Sequence, residues 1–425
     1  IIAQKENKFT INNCVDYAMK NNIQVKNAIL NIGIQQQTNT EVTAAALPTL
    51  SSSIGATKFL DLPVSLIPNE FFGGPAGTFT PVRFGTKYNS TVDIHLEQLL
   101  FDGQVFIAIQ ARNTTMDWVK KSTELTQEQI KTTILKISYQ LIASKTQIAL
   151  IETNVQRLQQ LLRESTILYN NGFIERIELD KITVQLNNLK TEKAKLVNAI
   201  DFGYLGLKTL MGMPSKEKLV ITDTLTEMDI DNIELLEKGF DYNVRKDFQY
   251  LNITKKLNEY NVKRYELSKI PTLSLSATYA KNAQRNEFDF LEKKDWFTNS
   301  FVSMKLAIPI FNGFARNARI SRTKLELQQV VNQIEQTKIT IDNEITQYKL
   351  NYQQSLESLH NQKANMLLAE NVYNQTNKKL QQGVGSNLEV TNAQADLIAA
   401  QNNYMNSLYS FLVAKIDLLK SLGKL

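Results

Sequence analysis

The sequence predicts a mainly helical protein with a small β part, built as two copies of one strand–strand–long-helical-hairpin unit. Three observations lead to this fold class. Residues 104–171 and 314–382 contain neither proline nor glycine, the strongest helix breakers. Apolar residues in both halves follow the heptad spacing of coiled coils. Finally, a shift of 211 residues brings the two halves into register, with Gly172 falling on Gly383.

The predicted organisation comprises two repeats, residues 1–212 and 246–425, joined by an inter-repeat equatorial segment at 213–245. The first repeat is expected to contain a helix, two barrel strands at about 47–57 and 88–101, a long helix at 103–170 and a return helix at 174–212. The second is expected to contain a helix, two barrel strands at about 271–280 and 296–310, a long helix at 313–382 and a return helix at 387–423. In the inter-repeat segment we expect a short strand at 218–222 and a helix at 233–238.

Composition and charge limit the class of protein. The 425 residues are 43% hydrophobic and 21% charged, which excludes a disordered chain. No run approaches eighteen consecutive apolar residues, so a transmembrane helix is not expected. The net charge is +6, but the cations alternate with glutamates along the helical tracts. A solvated helix face therefore explains them better than a nucleic-acid site does.

The heptad pattern shows how such long helices are buried. Each tract would be roughly 100 Å long as a helix, so one face needs a partner along its whole length. In the first tract the apolar positions are Ile130, Ile134, Ile137, Leu141, Ile148, Ile151, Val155, Leu158 and Leu162. In the return helix they are Leu179, Ile182, Leu186, Leu189, Leu196 and Ile200. Gly172 and Gly383 are therefore predicted to lie at the tips of antiparallel hairpins.

Upstream of each long helix, two segments have the period of strands. Apolar and polar residues alternate along 92–97, and Val302, Met304, Leu306 and Ile308 share one face of the second copy. A membrane barrel strand and a half-covered soluble strand share this period, so alternation alone leaves both open. Between the first two strands, residues 58–87 are predicted to form a long surface loop, and 281–295 a shorter one.

Each second strand enters its long helix through a three-residue junction, Phe101-Asp102-Gly103 in one copy and Phe311-Asn312-Gly313 in the other. Asp102 and Asn312 are suited to accept hydrogen bonds from the free amides of the first helical turn. Strand is therefore expected to pass into helix without a linker.

The sequence offers no catalytic or metal site. His95 and His360 are the only histidines, and neither has the spacing of a metal ligand or a nucleophile motif. The single cysteine, Cys14, is predicted to be buried and to pack as a small apolar residue. His95 shares the polar strand face with Asp93 and Glu97. We expect no enzymatic activity, no cofactor and no metal.

Four membrane strands cannot close a barrel, because the smallest bacterial barrels have eight and lipid does not tolerate an open edge. Three subunits would supply twelve strands, each continuing into long helices. These features resemble the outer-membrane efflux factor family, the TolC type, from 14–18 to 419–423 of the chain. The most specific elements are the duplication, the two junctions and the tip sequence at 383–390, Gly-Val-Gly-Ser-Asn-Leu-Glu-Val.

The resemblance implies a homotrimer in the outer membrane of a Gram-negative bacterium, in contact with outer-membrane lipid. It also implies a trimeric twelve-stranded β-barrel that continues into a periplasmic α-helical barrel. It implies an exit duct of a tripartite efflux or type I secretion system. The implied partners are a periplasmic adaptor (membrane fusion) protein and an inner-membrane transporter of the RND, ABC or MFS class. No nucleic acid is implied.

The resemblance also assigns roles to residues. The hairpin tips would receive the adaptor, at Gly172, Phe173, Gly383, Val384, Gly385 and Ser386. The periplasmic gate would include Glu178, Glu389 and Asn392, with the glutamates forming rings of carboxylates under threefold symmetry. Gly385 replaces an arginine that locks the closed state in some members, and Asn392 replaces a second acid. That specific lock is therefore not expected here.

A structural coiled-coil protein, such as an envelope spacer or fibre subunit, is the alternative. It would explain the heptads, but not the alternating strand pairs or the loop with four of the eight prolines. The sequence does not separate drugs, other small molecules and proteins as cargo, because cargo is chosen largely by partners.

Overall fold

The computed structural model describes residues 6–224, 240–292 and 294–425, which form eight strands and seven α-helices. In chain order these are β1 (Glu6–Phe9), α1 (Ile11–Asn21), α2 (Ile23–Ala44), β2 (Thr49–Lys58), β3 (Val64–Pro68), β4 (Phe79–Arg83), β5 (Tyr88–Phe101), α3 (Gly103–Asn170), α4 (Arg176–Met211), β6 (Lys218–Ile221), α5 (Lys246–Leu267), β7 (Thr272–Arg285), β8 (Phe297–Ala307), α6 (Ala315–Gln381) and α7 (Asn387–Ser421). The predicted class, mainly helical with a small β part, is confirmed.

The chain divides into two compact units, and each draws on both predicted repeats. The helical unit comprises Ile1–Gly33, Asp117–Thr254 and Val330–Leu425. The sheet unit comprises Ile34–Met116 and Lys255–Gln329.

The long helices begin and end within two residues of their predicted positions. α3 has 68 residues and α6 has 67, and the return helices α4 and α7 have 36 and 35. Proline and glycine explain this accuracy for the two long helices, because residues 104–171 and 314–382 contain no helix breaker and a glycine lies at each tip.

In the helical unit, the predicted heptad residues form the core. Ile134 and Leu158 of α3 and Ile182 of α4 are fully buried. Towards the tips, the two hairpins share one apolar cluster, in which Val390 and Leu397 of α7 pack with residues of α3 and α4. The apolar stripe of each helix is therefore covered by its own hairpin partner and by the other hairpin.

The first segment of the helical unit differs from the single helix predicted there. β1 pairs in parallel with β6, which confirms the strand expected at 218–222 and adds a partner that the sequence analysis missed. Asn22 then interrupts the helix, since its side chain accepts a hydrogen bond from the Val25 amide at 3.0 Å and donates one to the Leu210 carbonyl at 2.6 Å. The helix predicted at 233–238 lies outside the described residues.

Residues that begin the second repeat are anchored by a half-buried arginine. The Arg245 guanidinium donates to the Asp247 carboxylate at 2.6 Å, to Glu344 at 3.0 Å and to the Ser421 carbonyl at 3.2 Å. Burial alone would raise the pKa of Asp247, but the hydrogen bonds and charge of Arg245 outweigh it and lower that pKa. The start of α5 is thereby tied to α6 and to the end of α7.

The sheet unit contains one four-stranded antiparallel sheet in the order β2-β5-β7-β8. The register places the apolar residues of all four strands on one face, among them Leu50, Ile54, Val92, Ile94, Leu96, Tyr279, Val302, Met304 and Leu306. Asp93, His95 and Glu97 lie on the other face with mostly small polar residues, and Phe297 and Phe301 are exceptions there. β8 ends at Ala307, so Ile308 follows the strand.

The loop predictions need correction. Residues 58–87 contain an antiparallel hairpin, β3 with β4, closed by a 3₁₀ turn at Asn69–Phe72. Prolines at 63, 68 and 81 argued against strands, but a two-stranded hairpin tolerates proline where the amide is not needed for pairing. β7 also extends to Arg285, because its residues 281–285 pair with the start of β5.

Cys14 tests the packing of α1. The side chain is fully buried, and burial, reinforced by the negative charge of Asp223, raises the pKa of its thiol to about 12. We therefore expect no maleimide labelling of the folded chain at pH 8 and stoichiometric labelling in denaturant, because thiolate is the reactive species. Mass spectrometry of the labelled chain measures this, and rapid labelling under native conditions would contradict the packing of α1.

Candidate functional site

Both hairpin tips have the same backbone geometry. At the first tip the Gly172 amide donates to the Tyr169 carbonyl and the Phe173 amide to the Leu168 carbonyl, both at 2.9 Å. The second tip repeats these bonds 211 residues later, from Gly383 and Val384. Gly172 and Gly383 have φ values of +78° and +77°, which L side chains adopt at a cost. The bonds form a Schellman motif that ends each long helix.

The two tips differ in how the return helix starts. The Ser386 hydroxyl accepts a hydrogen bond from the Glu389 amide at 3.2 Å and so caps α7, whereas Glu175 precedes α4 without a side-chain cap bond. A Cβ atom at Gly385 would lie 2.9 Å from the Leu380 amide nitrogen. A larger residue at this position therefore does not fit this backbone.

The apex of each tip exposes an apolar side chain. Phe173 is 76% exposed and Val384 is 75% exposed, although both lie beside helices with buried apolar stripes. Gly172, Gly383 and Ser386 are also exposed. The predicted tip residues of each hairpin are thus brought together, and they present a small apolar surface at each apex.

The predicted gate residues occupy unlike environments. Glu389 and Asn392 are exposed in the first turns of α7. Glu178, the counterpart of Glu389 in the first repeat, is half-buried, and one of its carboxylate oxygens is buried with no hydrogen-bond partner. The two glutamates are therefore not equivalent, and only Glu389 has the solvent access that attraction of cations requires.

A buried polar network lies between the hairpins, and the sequence analysis missed it. We name as the polar network Asn154 and Arg157 of α3 with Gln394 and Gln401 of α7. The Asn154 amide donates to Gln401 at 2.6 Å, and its carbonyl oxygen accepts from Gln394 at 3.0 Å and from Arg157 at 3.3 Å. Asn154 and Gln394 are both 1% exposed. The network therefore links the first hairpin to the second.

Helix α6 joins this network through Arg157. Its guanidinium lies 3.7 Å from the Glu370 carboxylate and 5.2 Å from the centre of the Tyr373 ring. Buried polar residues in a coiled coil fix its register, because a shift of either helix leaves them without partners. The polar network is therefore suited to fix the register of α3, α6 and α7 relative to one another.

In the sheet unit, the two junctions have different geometry. At the first, the Asp102 carboxylate accepts a hydrogen bond from the Gln104 amide at 2.7 Å, and α3 begins at Gly103 directly after β5 ends at Phe101. A Cβ atom at Gly103 would lie 2.9 Å from Cβ of Leu267. The helix start is thus packed against the end of α5.

The second junction is looser. The bond from the Arg316 amide to Asn312 is 3.4 Å long, and α6 begins only at Ala315. Gly313 and Phe314 have φ values of +63° and +64°. Phe314 thus combines a left-handed backbone with a 70% exposed ring beside the 73% exposed Phe311. The predicted cap is therefore strong at Asp102 and weak at Asn312.

The polar face of the sheet carries connected hydroxyl, amide and carboxylate groups. The His95 ring lies 2.9 Å from the Thr278 hydroxyl, and Asp93 accepts a hydrogen bond from Ser53. Over the described ranges, no cluster of three or more His, Cys, Asp or Glu side chains is arranged to hold a metal ion. Nor does any helix in those ranges have the length and apolar character needed to cross a membrane.

Comparison with known proteins shows what the second half of the chain is similar to. Residues 246–424 match the family model described as outer membrane efflux protein. No curated protein sequence matches the chain at a significant level. The match coincides with the second of the two repeats that the sequence predicts, and this repeat is therefore similar to outer membrane efflux proteins.

Solved structures extend the likeness to the whole chain. CusC, a protein that forms a transmembrane channel, has a TM-score of 0.80 at 16% identity, with 98% of this chain and 92% of CusC covered. The Campylobacter jejuni CmeC outer membrane channel has a TM-score of 0.78 at 14% identity, with 100% of this chain and 90% of CmeC covered. The Neisseria gonorrhoeae MtrE outer membrane channel in its open state has a TM-score of 0.76 at 16% identity, with 97% of this chain and 88% of MtrE covered. The chain has the fold of these channels.

The polar network predicts a large cost for removing its central residue. Asn154→Leu removes the hydrogen-bond partner that Gln394, Gln401 and Arg157 share, so we expect a loss of about 2–4 kcal/mol in the free energy of unfolding. Denaturant unfolding measures this. Asn188→Leu on the exposed surface of α4 is the matched control and should change stability by less than about 0.5 kcal/mol. Equal effects of the two substitutions on stability would contradict the role of the polar network in fixing the helix register.

The junctions predict unequal capping. Asp102→Ala removes a 2.7 Å cap bond, so hydrogen exchange in the first turn of α3 should accelerate by an amount equivalent to about 1 kcal/mol. Asn312→Ala removes only a 3.4 Å bond and should have a much smaller effect on α6. Hydrogen exchange with mass spectrometry compares both turns, and equal acceleration would refute the assigned caps.

Proposed function

We propose that three copies of this chain form the exit duct of a tripartite efflux or type I secretion system in the outer membrane. The observation that carries this proposal is the four-stranded sheet, with one apolar face and two edge strands, β2 and β8, that each pair on one side only within the described chain. Three such sheets joined edge to edge close a twelve-stranded barrel and leave no backbone group unpaired in lipid.

Strand length and side-chain placement fit this assembly. β2 and β8 have 10 and 11 residues, which is the length of a tilted membrane strand. The apolar face is exposed in the single chain, with Ile54 at 80% and Val302 at 71%. A soluble sheet would cover such a face, so these exposures favour contact with hydrocarbon.

Aromatic residues lie at both ends of the sheet, as in the girdles of membrane barrels. At the loop end, Tyr88 contacts Phe288 with ring centres 5.8 Å apart, and Phe288 contacts Phe290 at 5.4 Å. At the helical end, Phe311 and Phe314 contact each other at 5.4 Å. The position of these clusters at the two ends of the strands supports insertion of the strands in a membrane.

The helical hairpins supply the periplasmic end in this proposal. The exposed tips, with Phe173 and Val384 at their apices, would receive a periplasmic adaptor protein, which links the duct to an inner-membrane transporter of the RND, ABC or MFS class. Glu389 would form a ring of three carboxylates at the entrance. Coiled-coil packing and the polar network, rather than an arginine at position 385, would hold this entrance closed.

A fibre or spacer without a channel is the competing function. Conductance in planar bilayers separates the two, because a solid assembly carries no current. We expect the purified protein to form stable ion-conducting pores and to sediment as a trimer in detergent. Absence of conductance from a properly folded trimer would refute the duct.

Glu389→Gln tests the entrance. Replacing an exposed carboxylate ring by neutral amides should lower the cation-to-anion permeability ratio, by about twofold or more, and weaken block by multivalent cations. Reversal potentials in a salt gradient measure the ratio. Glu164→Gln, at an exposed position near the tip of the other hairpin, should leave it unchanged. An unchanged ratio in Glu389→Gln would exclude the carboxylate ring.

A further inference from the structure

The sheet unit carries a concentrated group of cations where the last strand leads into α6. Residues 315–324 contain Arg316, Arg319, Arg322 and Lys324, and no acidic residue. Lys324 pairs with Glu266 of α5 at 2.8 Å, and Arg322 pairs with Glu326 at 3.4 Å. Within the described residues, neither Arg316 nor Arg319 forms an ion pair, and Arg319 is exposed. Two of the four charges therefore have no neutralising partner in the part of the chain that the structure describes.

The first of these cations, Arg316, lies in the first turn of α6, at the unfavourable end of the helix. The amino terminus of a helix carries a partial positive charge, so arginines there are repelled by the helix dipole and favour a bound anion. The fold itself does not require them. The 211-residue shift that relates the two repeats places the apolar residues Val105, Ala108 and Ala111 at the positions of the three arginines.

Exposed apolar groups lie directly before the cations. Phe311 and Phe314 meet at right angles with their ring centres 5.4 Å apart, and both rings face solvent. Ile310 is 92% exposed. The left-handed backbone at Phe314 costs free energy, and strain of this kind persists where it serves a function. Along the chain, the order is therefore an apolar sheet face, an exposed aromatic pair and then the arginines.

The opposite end of the sheet lacks this charge. The two loops there, residues 58–87 and 285–295, together carry six basic and six acidic residues. Aromatic residues occur at both ends, but excess positive charge occurs only at the helical end. The charge thus marks one side of the apolar sheet face.

We propose that Arg316, Arg319 and Arg322, with Phe311 and Phe314, form a docking surface for the phosphate groups of anionic phospholipids in the membrane leaflet at the helical end of the sheet. This inference rests on the proposed function, because it requires the sheet to lie in a bilayer. The apolar sheet face then contacts the hydrocarbon, the aromatic pair lies at the membrane interface, and the arginines contact the lipid headgroups. Cations beside an anionic leaflet strengthen binding by several-fold each at low salt.

The test compares lipid binding by the full chain in detergent. Native mass spectrometry of protein mixed with phosphatidylglycerol and phosphatidylcholine of identical acyl chains gives the ratio of bound lipids. We expect a preference for phosphatidylglycerol of about tenfold at low salt, reduced towards unity at 0.5 M salt, roughly, where charges are screened. The variant Arg316→Gln/Arg319→Gln/Arg322→Gln should lose most of this preference.

The matched control removes the same charge elsewhere. Lys190→Gln/Lys195→Gln/Lys379→Gln changes three exposed cations of the helical unit and should keep the wild-type preference. The replacement of the three arginines by lysine should keep most of it and guards against a folding defect. Phe314→Gly, which accepts the left-handed backbone, should reduce retention of both lipids equally.

Three outcomes would overturn the inference. These are equal binding of both lipids by the wild type, an unchanged preference in the arginine-to-glutamine variant, or loss of the trimer in that variant with the preference per chain intact. The last would assign the arginines to contacts between subunits. Failure of the proposed function is distinguishable, because the wild type would then give no conductance in bilayers of any composition.

Discussion

The apolar stripe of α3 repeats every three and four residues from Ile130 to Leu162, so its burial requires helical partners over that whole length. The chain supplies them by folding back at Gly172 and by repeating the hairpin at Gly383. Because each tip ends in the same Schellman motif, the turns add no loop that would disturb the register of the coiled coil. The helical unit thus follows from one requirement, the continuous burial of a long stripe.

A second requirement acts on the sheet unit. The four-stranded sheet has an exposed apolar face and two unpaired edges, and the described residues of one chain cover neither the face nor the edges. In the proposed trimer, association of copies in lipid would satisfy both together, because edge pairing would close the sheet and hydrocarbon would cover the face. The same sheet in water would expose a surface prone to aggregation.

Sequence patterns predicted those features that depend on periodicity and on helix breakers. Helix ends fell within two residues because glycine marks both tips, and β5 was placed correctly because its alternation is strict. The β3–β4 hairpin was missed because prolines mask its alternation. The polar network was missed for another reason. Asn154 and Gln394 look like solvated residues until the packing of a second hairpin buries them, and no local pattern records that packing.

Comparison of the two return helices shows how duplication produced different surfaces. The buried polar residues of α7 include Asn387, Thr391, Gln394 and Gln401, and the 211-residue shift relates them to Arg176, Asp180, Thr183 and Lys190 of α4. Three of these four α4 residues are charged and exposed. α7 is therefore covered on a side that α4 leaves to solvent, and uncharged polar groups replace charges there because an unpaired buried charge is too costly. The two repeats have the same backbone plan, but their return helices have different surroundings. A shift of α7 against α3 must therefore break the polar network. The solvent-facing side of α4 has no comparable network to oppose such a shift.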